Sequence, residues 1–495
     1  MAPGDIEKTV SIGTEVTGTS YGNEKHAETA HVTGAEAGLD PIFESNFEVD
    51  PFHQQRDAKD DGDYVDFRTM GWFRAGLIAT AENIALGILS FPSVFQRLGL
   101  AGGIITTLGL GTVAFLTAWI MVDFKVRHMG VMHFGDAGGV VFGKWGARIF
   151  GWGMVLKATG LAGSHVLVGQ TAFDFMTNHA MCNVWWGFIV TIVSIVMSYN
   201  RQWHKLWWLS FVSLACIFVA SFMNMIGVGI GRHSDKLTAQ IAKKPVSYHA
   251  APTHATLTDV LGAFTNIVFA YGGNMACFSF CSEMKKPNDF KKSFAMSQIV
   301  ATISYIVVGT VIYCYGGDYT TSPAIGMLDH KLGIAAYAFA FVTIMVSGIL
   351  GANVGIKYIY VTTLRNSPLL TSKSFKAQMY WMLMVAIMWI AGFILSELIP
   401  FFNPLLTIVS SLFSVWFVCG GAGFLWIYDN HPRFQKEGEK ERAIDTPSKW
   451  FFYIFSLFVI AISCAITPLG LYSAGMSIKT GYSKGTFHHP FACAS

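Results

Sequence analysis

Charge is what this chain has least of. Asp, Glu, Lys and Arg make up 13% of its 495 residues, about half of what soluble domains carry, whereas 52% are hydrophobic. That shortfall excludes an ordinary soluble domain and asks for repeated apolar segments. The net charge of +3 is not gathered on any basic face, so no nucleic-acid partner is expected. Cysteine is scarce too. Of the eight, Cys216, Cys277, Cys281, Cys419 and Cys464 fall within apolar runs as small filler. Cys182 and Cys493 lie outside them, and no spacing predicts a disulfide framework or a metal site. The phosphate-binding Gly-x-x-x-x-Gly-Lys loop is missing, which removes the ATP-driven pumps. No catalytic triad or zinc spacing occurs either, so neither enzyme activity nor a cofactor is expected. There is no proline-free Asn-x-Ser/Thr acceptor to mark a glycosylated loop. Residues 1–66 hold no apolar signal-peptide core, and the first span is expected to act as its own membrane signal.

What is present is a series of long apolar runs. At about 20 residues per crossing, the sequence predicts about eleven membrane spans. They lie at roughly 73–95, 98–122, 148–176, 184–199, 206–230, 257–281, 290–316, 334–363, 377–397, 401–428 and 450–474. The fold class is an all-α polytopic membrane protein. Residues 1–66 are polar, too poor in apolar surface to fold alone, and read as a disordered cytoplasmic tail open to regulatory partners. Residues 67–476 form the transmembrane domain, and 477–495 a C-terminal tail. Lys and Arg crowd one set of loops (Lys125, Lys144, Arg201, Lys285, Lys291, Arg365, Lys373, Arg433, Lys449 among them). The bias predicts a cytoplasmic N-terminus and an external C-terminus.

Two spans carry polar interruptions at corresponding places. In the first, Glu82, Asn83, Gly87 and Pro92 interrupt an otherwise apolar stretch. In the sixth, Tyr271, Gly272, Gly273 and Asn274 do the same. A break exposes N–H groups at one half-helix and carbonyls at the other, which suits the carboxylate and ammonium of an amino acid. About five spans separate the two, the spacing of two inverted five-span repeats (about 73–230 and 257–428) with an extra helix at 450–474. The expected substrate-binding residues are Asn83, Ile84, Ala85, Gly87, Phe269, Tyr271, Gly272, Gly273 and Asn274. Glu82 is the sharpest single residue: a carboxyl group at mid-membrane depth is costly and can carry a proton or counter a cation. Packing alone offers a plainer account of Gly87 and Pro92, which are common in membrane helices as close contact and kink.

Lys157 and His165 lie about two turns apart in the third span. Lys157 stands either as a tethered positive charge in place of a sodium ion or as one half of a structural ion pair. His165 is either a hydrogen-bonded core residue or a proton relay. In the eighth span, Ser347, Gly348, Gly351, Asn353 and Gly355 form a small-residue face. Ser347 and Asn353 are candidates for a cation site, and the glycines suit close helix packing.

The run Thr80-Ala81-Glu82-Asn83-Ile84-Ala85-Leu86-Gly87-Ile88-Leu89-Ser90-Phe91-Pro92 resembles the first helix of amino acid/auxin permeases, especially fungal neutral amino acid permeases. Glu283-Met284-Lys285-Lys286-Pro287 looks like that family's acidic-Met-Lys-x-Pro signature after the sixth span. Relatives often read Gly-x-Gly-Ile-Leu where this chain has Ala85-Leu86-Gly87-Ile88-Leu89, and the extra methyl at Ala85 narrows the site there. The resemblance covers roughly residues 70–475. It implies a fold similar to bacterial leucine transporters, a 5+5 inverted repeat plus one helix. It also implies import of amino acids coupled to protons, with sodium as the alternative ion. Glu82 favours protons. The expectation is therefore a proton symporter of neutral, aliphatic or aromatic, amino acids in the plasma membrane, with the vacuolar membrane as alternative. A nutrient sensor on the same fold, a carrier of another small solute, and an ion channel are the rivals.

Overall fold

Apolar runs in lipid leave the backbone only itself to bond with, and helix is the outcome. The computed structural model describes residues 67–203, 206–252, 255–365, 367–399, 401–431, 444, 446–483, 490–491 and 493, without the side chains of Ala85 and Leu86. The expected N-terminal tail lies outside the described residues. Among those described, β structure is limited to single bridges at Met70–Met284 and His233–Leu328.

Helices cover all the expected spans. α1 (Trp72–Arg127) contains the first two, α2 (Phe134–Met176) the third, α3 (Asn183–Met197) the fourth and α4 (Trp207–Gly229) the fifth. A short amphipathic helix, α5 (Asp235–Lys243), follows in the loop, capped by the Ser234 hydroxyl. The sixth span is split into α6 (Leu257–Ala270) and α7 (Cys277–Glu283). Then come α8 (Phe290–Gly316), α9 (His330–Leu364) and α10 (Phe375–Leu398). The tenth span is α11 (Phe402–Val409) and α12 (Gly421–Asn430), joined by π-helical turns at Ser410–Ser414 and Trp416–Gly420. α13 (Pro447–Ser483) closes the bundle and runs past the expected end of the last span. Among the described residues, seven helices are long and apolar enough to cross a membrane, and the bent pair α6–α7 makes an eighth. The two crossings within α1 are separated by Gly99, whose φ of +72° is the left-handed conformation glycine takes freely. Past that turn, Gly103 lies against the ring of Phe95.

Two apolar cores result. One gathers Met70, Ala81, Phe124, Phe278, Trp203, Met275 and Trp381. The other gathers Ile84, Phe95, Phe269, Tyr305, Tyr313, Leu328 and Phe402. Successive residues of α1 change allegiance between Ala81 and Ile84, and the sixth span changes between Phe269 and Met275. The seam between the cores therefore crosses both. Outward faces are apolar as lipid requires: Ile387 and Ile390 on α10, Phe222 and Ile226 on α4, Ile454 and Phe458 on α13 are exposed. α13 is the least buried of the long apolar helices and the α11–α12 span the most, which fits a helix added to the outside of two five-span halves.

One end of the bundle is held by charge. Glu283, at the end of α7, pairs with Lys357 of α9, and both are buried. The Trp203 N–H donates to Glu283 Oε2 at 3.1 Å, and Lys357 Nζ lies 4.3 Å from the Trp203 ring centroid. The Met70 N–H donates to the Glu283 carbonyl, and the Lys285 N–H to the Met70 carbonyl. Arg365 pairs with Asp136 at 3.2 Å and Arg127 with Asp429 at 2.9 Å. These are loops that the Lys/Arg bias assigns to the inside.

Two expectations are overturned. First, α1 stays wound through Asn83, Ile84, Ala85 and Gly87; Gly99 is where its backbone leaves the helix. Ser347 Oγ donates to the Ala81 carbonyl at 2.9 Å and the Tyr305 hydroxyl reaches the Asn83 carbonyl at 2.5 Å. Polar side chains thus supply the partners from outside, and the helix has no need to open. Gly87 serves close approach: a Cβ there would stand 2.8 Å from Ala270 Cβ and 2.9 Å from the Tyr305 hydroxyl. Second, Cys182 and Cys493 form a disulfide with Cα atoms 4.9 Å apart. Their sequence separation of 311 carries no spacing signal, because helices fold the intervening chain back on itself.

Candidate functional site

The sixth span breaks where the sequence places the break. α6 ends at Ala270, residues Gly272–Ala276 form a 3-10 turn, and α7 leaves at 40° to α6. Glycine is required here by packing. A Cβ on Gly273 would collide with the Asn83 side chain, and one on Gly272 would stand 3.2 Å from Lys157 Nζ. Without those side chains, the Gly273 N–H donates to Asn83 Oδ1 at 3.0 Å, and Lys157 Nζ donates to the Gly272 carbonyl at 2.7 Å. Asn83 completes its bonding by donating Nδ2 to Ser297 Oγ at 3.1 Å.

These groups enclose a cavity of about 20 Å³ at the seam of the two cores. Its walls include Glu82, Asn83 and Gly87 of α1, Lys157, Leu161 and His165 of α2, and Phe269, Gly272, Gly273 and Met275 of the sixth span. The volume is about that of one water molecule; an amino acid fits only once the walls part. Glu82 Oε2 is buried with no hydrogen-bond partner, as is His165 Nε2. His165 Nδ1 lies 2.8 Å from the Leu161 carbonyl, which can only accept. The neutral ring therefore carries its proton on Nδ1 and turns a bare Nε2 to the cavity. Lys157 Nζ also lies 5.7 Å from the centroid of Phe417.

Eight of the residues expected from sequence thus meet at one place: Glu82, Asn83, Gly87, Lys157, His165, Phe269, Gly272 and Gly273. Others do not. Ile84 is fully buried in one apolar core, and the side chain of Ala85 lies outside the described residues. The Tyr271 hydroxyl turns away, lying 3.1 Å from the Thr107 carbonyl and 2.9 Å from Thr302 Oγ1. Asn274 Nδ2 donates to the Ala114 carbonyl and Thr117 Oγ1 at 3.1 and 3.0 Å, so it anchors the break to the second crossing. Ser347 caps Ala81, beside Glu82. Asn353 is buried with neither side-chain atom hydrogen-bonded among the described residues, and it does not border the cavity. Gly348 packs on His165, Gly351 on Leu161 and Gly355 on Ala158, the close packing that small residues allow.

Sequence reasoning missed Tyr305. Its hydroxyl lies 2.5 Å from the Asn83 carbonyl and 3.1 Å from the Ala270 carbonyl, so one donor serves both the wound α1 and the broken sixth span. Ser414, which stands 4.0 Å from the Cβ position of Gly272 in a π-helical turn, was also missed. Its signal was available: Ser410, Ser411 and Ser414 cluster within an apolar run, and π-turns concentrate at functional places.

A relative from Neurospora crassa, the N amino acid transport system protein, is 28% identical over 433 residues, covering 87% of this chain and 90% of its own. Among solved structures, MhsT in complex with L-phenylalanine superposes with a TM-score of 0.52 at 11% identity, over 80% of this chain and 98% of its own. Mhp1, a nucleobase-cation-symport-1 family transporter in a closed conformation with bromovinylhydantoin bound, gives 0.50 at 14% identity, over 87% and 96%. Those likenesses show the fold, a LeuT-like bundle. The family described as transmembrane amino acid transporter protein matches residues 68–472. The chain belongs to that family: it is a multi-pass membrane transporter and not an enzyme.

Proposed function

We propose that the protein is a proton-coupled symporter of neutral amino acids, aliphatic or aromatic, that works by alternating access around the central cavity. The observation that carries this reading is the meeting of Glu82, Lys157 and the broken sixth span at the seam of the two cores. A carboxyl and an amine beside main-chain groups that are held only by the Asn83 and Lys157 side chains offer partners to both charges of a zwitterion. Leu161, Phe269 and Met275 supply an apolar wall for an uncharged side chain. Protons are favoured over sodium because the Lys157 amine already occupies the Gly272 carbonyl, an oxygen a metal ion would need. The relative's name, an amino acid transport system protein, and the phenylalanine held by MhsT support an amino acid as the substrate. The disulfide at the end away from the Glu283–Lys357 pair supports an external C-terminus, since disulfides persist on the oxidising side of a membrane. The plasma membrane is the location this favours.

The test is uptake of labelled amino acids into proteoliposomes, with all twenty as competitors, with and without an inward proton gradient in sodium-free buffer. Saturable, gradient-driven accumulation of neutral amino acids is the expected result. Accumulation that ignores the proton gradient and needs sodium would reject the coupling, and binding without flux would make the protein a sensor.

A further inference from the structure

At the end of the bundle that carries the Gly99 turn, two cavities of about 350 and 500 Å³ share Arg97 and Asp259. Neither residue takes part in the central site. Arg97 stands just before the turn in α1, and its Nη1 is 3.0 Å from the Cβ position of Gly262, so a glycine on α6 makes room for the guanidinium. Asp259 lies in the first turn of α6. Its Oδ2 accepts from the Thr256 N–H at 3.1 Å and the Thr256 hydroxyl at 2.6 Å, while Oδ1 accepts no hydrogen bond among the described residues. Asp259 acts electrostatically on Arg97, yet among the described residues the two do not close to an ion pair, and the guanidinium makes no hydrogen bond.

A cation and an anion held apart across a cavity are the complement of a zwitterion. Both groups are half-buried; a charge partly withdrawn from water without a partner is costly, and a ligand that pairs both ends relieves that cost. The remaining walls of the larger cavity carry no charge and mix hydroxyl and amide groups, from Thr256, Asn403 and Thr407 among others, with the apolar surfaces of Pro404, Ala474 and Met476. Its size lies in the range of small-molecule sites. It also connects inward by hydrogen bonds. Asn403 Oδ1 accepts from Asn266 Nδ2 at 3.3 Å, and the Thr407 hydroxyl donates to Asn266 Oδ1 at 3.4 Å. Asn266 lies one turn before Ala270, a wall of the central cavity.

We propose that Arg97 and Asp259 form a second, outer binding site for a free amino acid, with the α-carboxylate on Arg97 and the α-ammonium on Asp259, loaded before the central cavity. The proposal rests on reading the central site as an amino acid carrier. The outer site recognises the α-groups, and its volume of about 500 Å³ leaves room for small and large side chains alike.

The experiment uses the full chain in lipid nanodiscs with tritiated L-alanine and L-phenylalanine as probes, paired with uptake kinetics in proteoliposomes. Wild type should bind two molecules per chain. Arg97→Gln and Asp259→Asn should each bind one and raise the uptake KM about tenfold, the loss of one charge-assisted contact. Arg97→Lys should restore most of the affinity. Phenylethylamine and 3-phenylpropionate, each lacking one α-charge, should fail to displace phenylalanine from the outer site. Ser477→Trp fills the cavity from its exposed rim and should mimic Arg97→Gln while leaving both charges in place. One molecule per chain in wild type with uptake intact, or variants with unchanged stoichiometry and KM, overturns the outer site and leaves the carrier standing. Absence of binding and uptake of any amino acid by wild type overturns the carrier reading and the outer site with it.

Discussion

Tyr305 joins the two halves of the central site through one hydroxyl, shared between the carbonyls of Asn83 and Ala270. Its ring stacks on Phe91, 4.1 Å centroid to centroid, which holds the hydroxyl in place. Tyr305→Phe keeps the ring and removes the donor. It should destabilise the protein by about 1–2 kcal/mol, the net value of a buried hydrogen bond, and slow uptake; a thermal-shift assay and uptake rates check it. An unchanged melting temperature and rate would make the hydroxyl incidental. Glu82, Asn83, Lys157 and His165 were legible in the sequence because each is expensive in hydrocarbon and therefore has a partner or a use. Gly272 and Gly273 were legible because they interrupt an apolar run. Tyr305 was not, since the chain holds 17 tyrosines and 40 phenylalanines, and an aromatic residue in a span is ordinary. The orientation of Tyr271 and Asn274 away from the cavity was likewise beyond the sequence, because it depends on which neighbour, Thr107 or Thr117, the fold brings up.

The elements show why two similar sequence signals have different outcomes. Gly272-Gly273 produces a real interruption because Lys157 and Asn83 take up the main-chain groups it frees. Gly87 and Pro92 leave α1 wound: Gly87 is spent on close contact with Ala270, and Ser347 and Tyr305 add hydrogen bonds to the Ala81 and Asn83 carbonyls. The Glu283–Lys357 pair ties the far end of the sixth span to α9. The Glu283-Met284-Lys285 run, read in the sequence only as a family signature, owes its acid to this tie. Glu283→Gln leaves Lys357 buried without its counter-charge and should cost about 3–5 kcal/mol, seen as a lower melting temperature and faster thiol labelling of buried Cys281. Replacing Glu283 and Lys357 together by methionine should recover most of that stability. If the double variant melts no higher than Glu283→Gln, the pair is not what holds this end.

For the whole molecule, the sequence pattern carried the span positions and the helical class, since those follow from hydrophobic length alone. It did not carry the disulfide, which depends on where the α2–α3 loop and the last residues meet in space. That bridge also offers a check on orientation. After mild reduction, a membrane-impermeant maleimide added to intact cells should label Cys182 and Cys493, and Cys182→Ser should leave Cys493 free without reduction. Labelling only after permeabilisation would invert the topology. The account as a whole turns on Glu82 as the group that couples substrate to protons at the seam of the two cores. The most direct test is Glu82→Gln in proteoliposomes, measuring counterflow exchange and gradient-driven accumulation side by side. The account predicts that exchange persists while accumulation against a gradient is lost, and a variant that still concentrates substrate like wild type would contradict it.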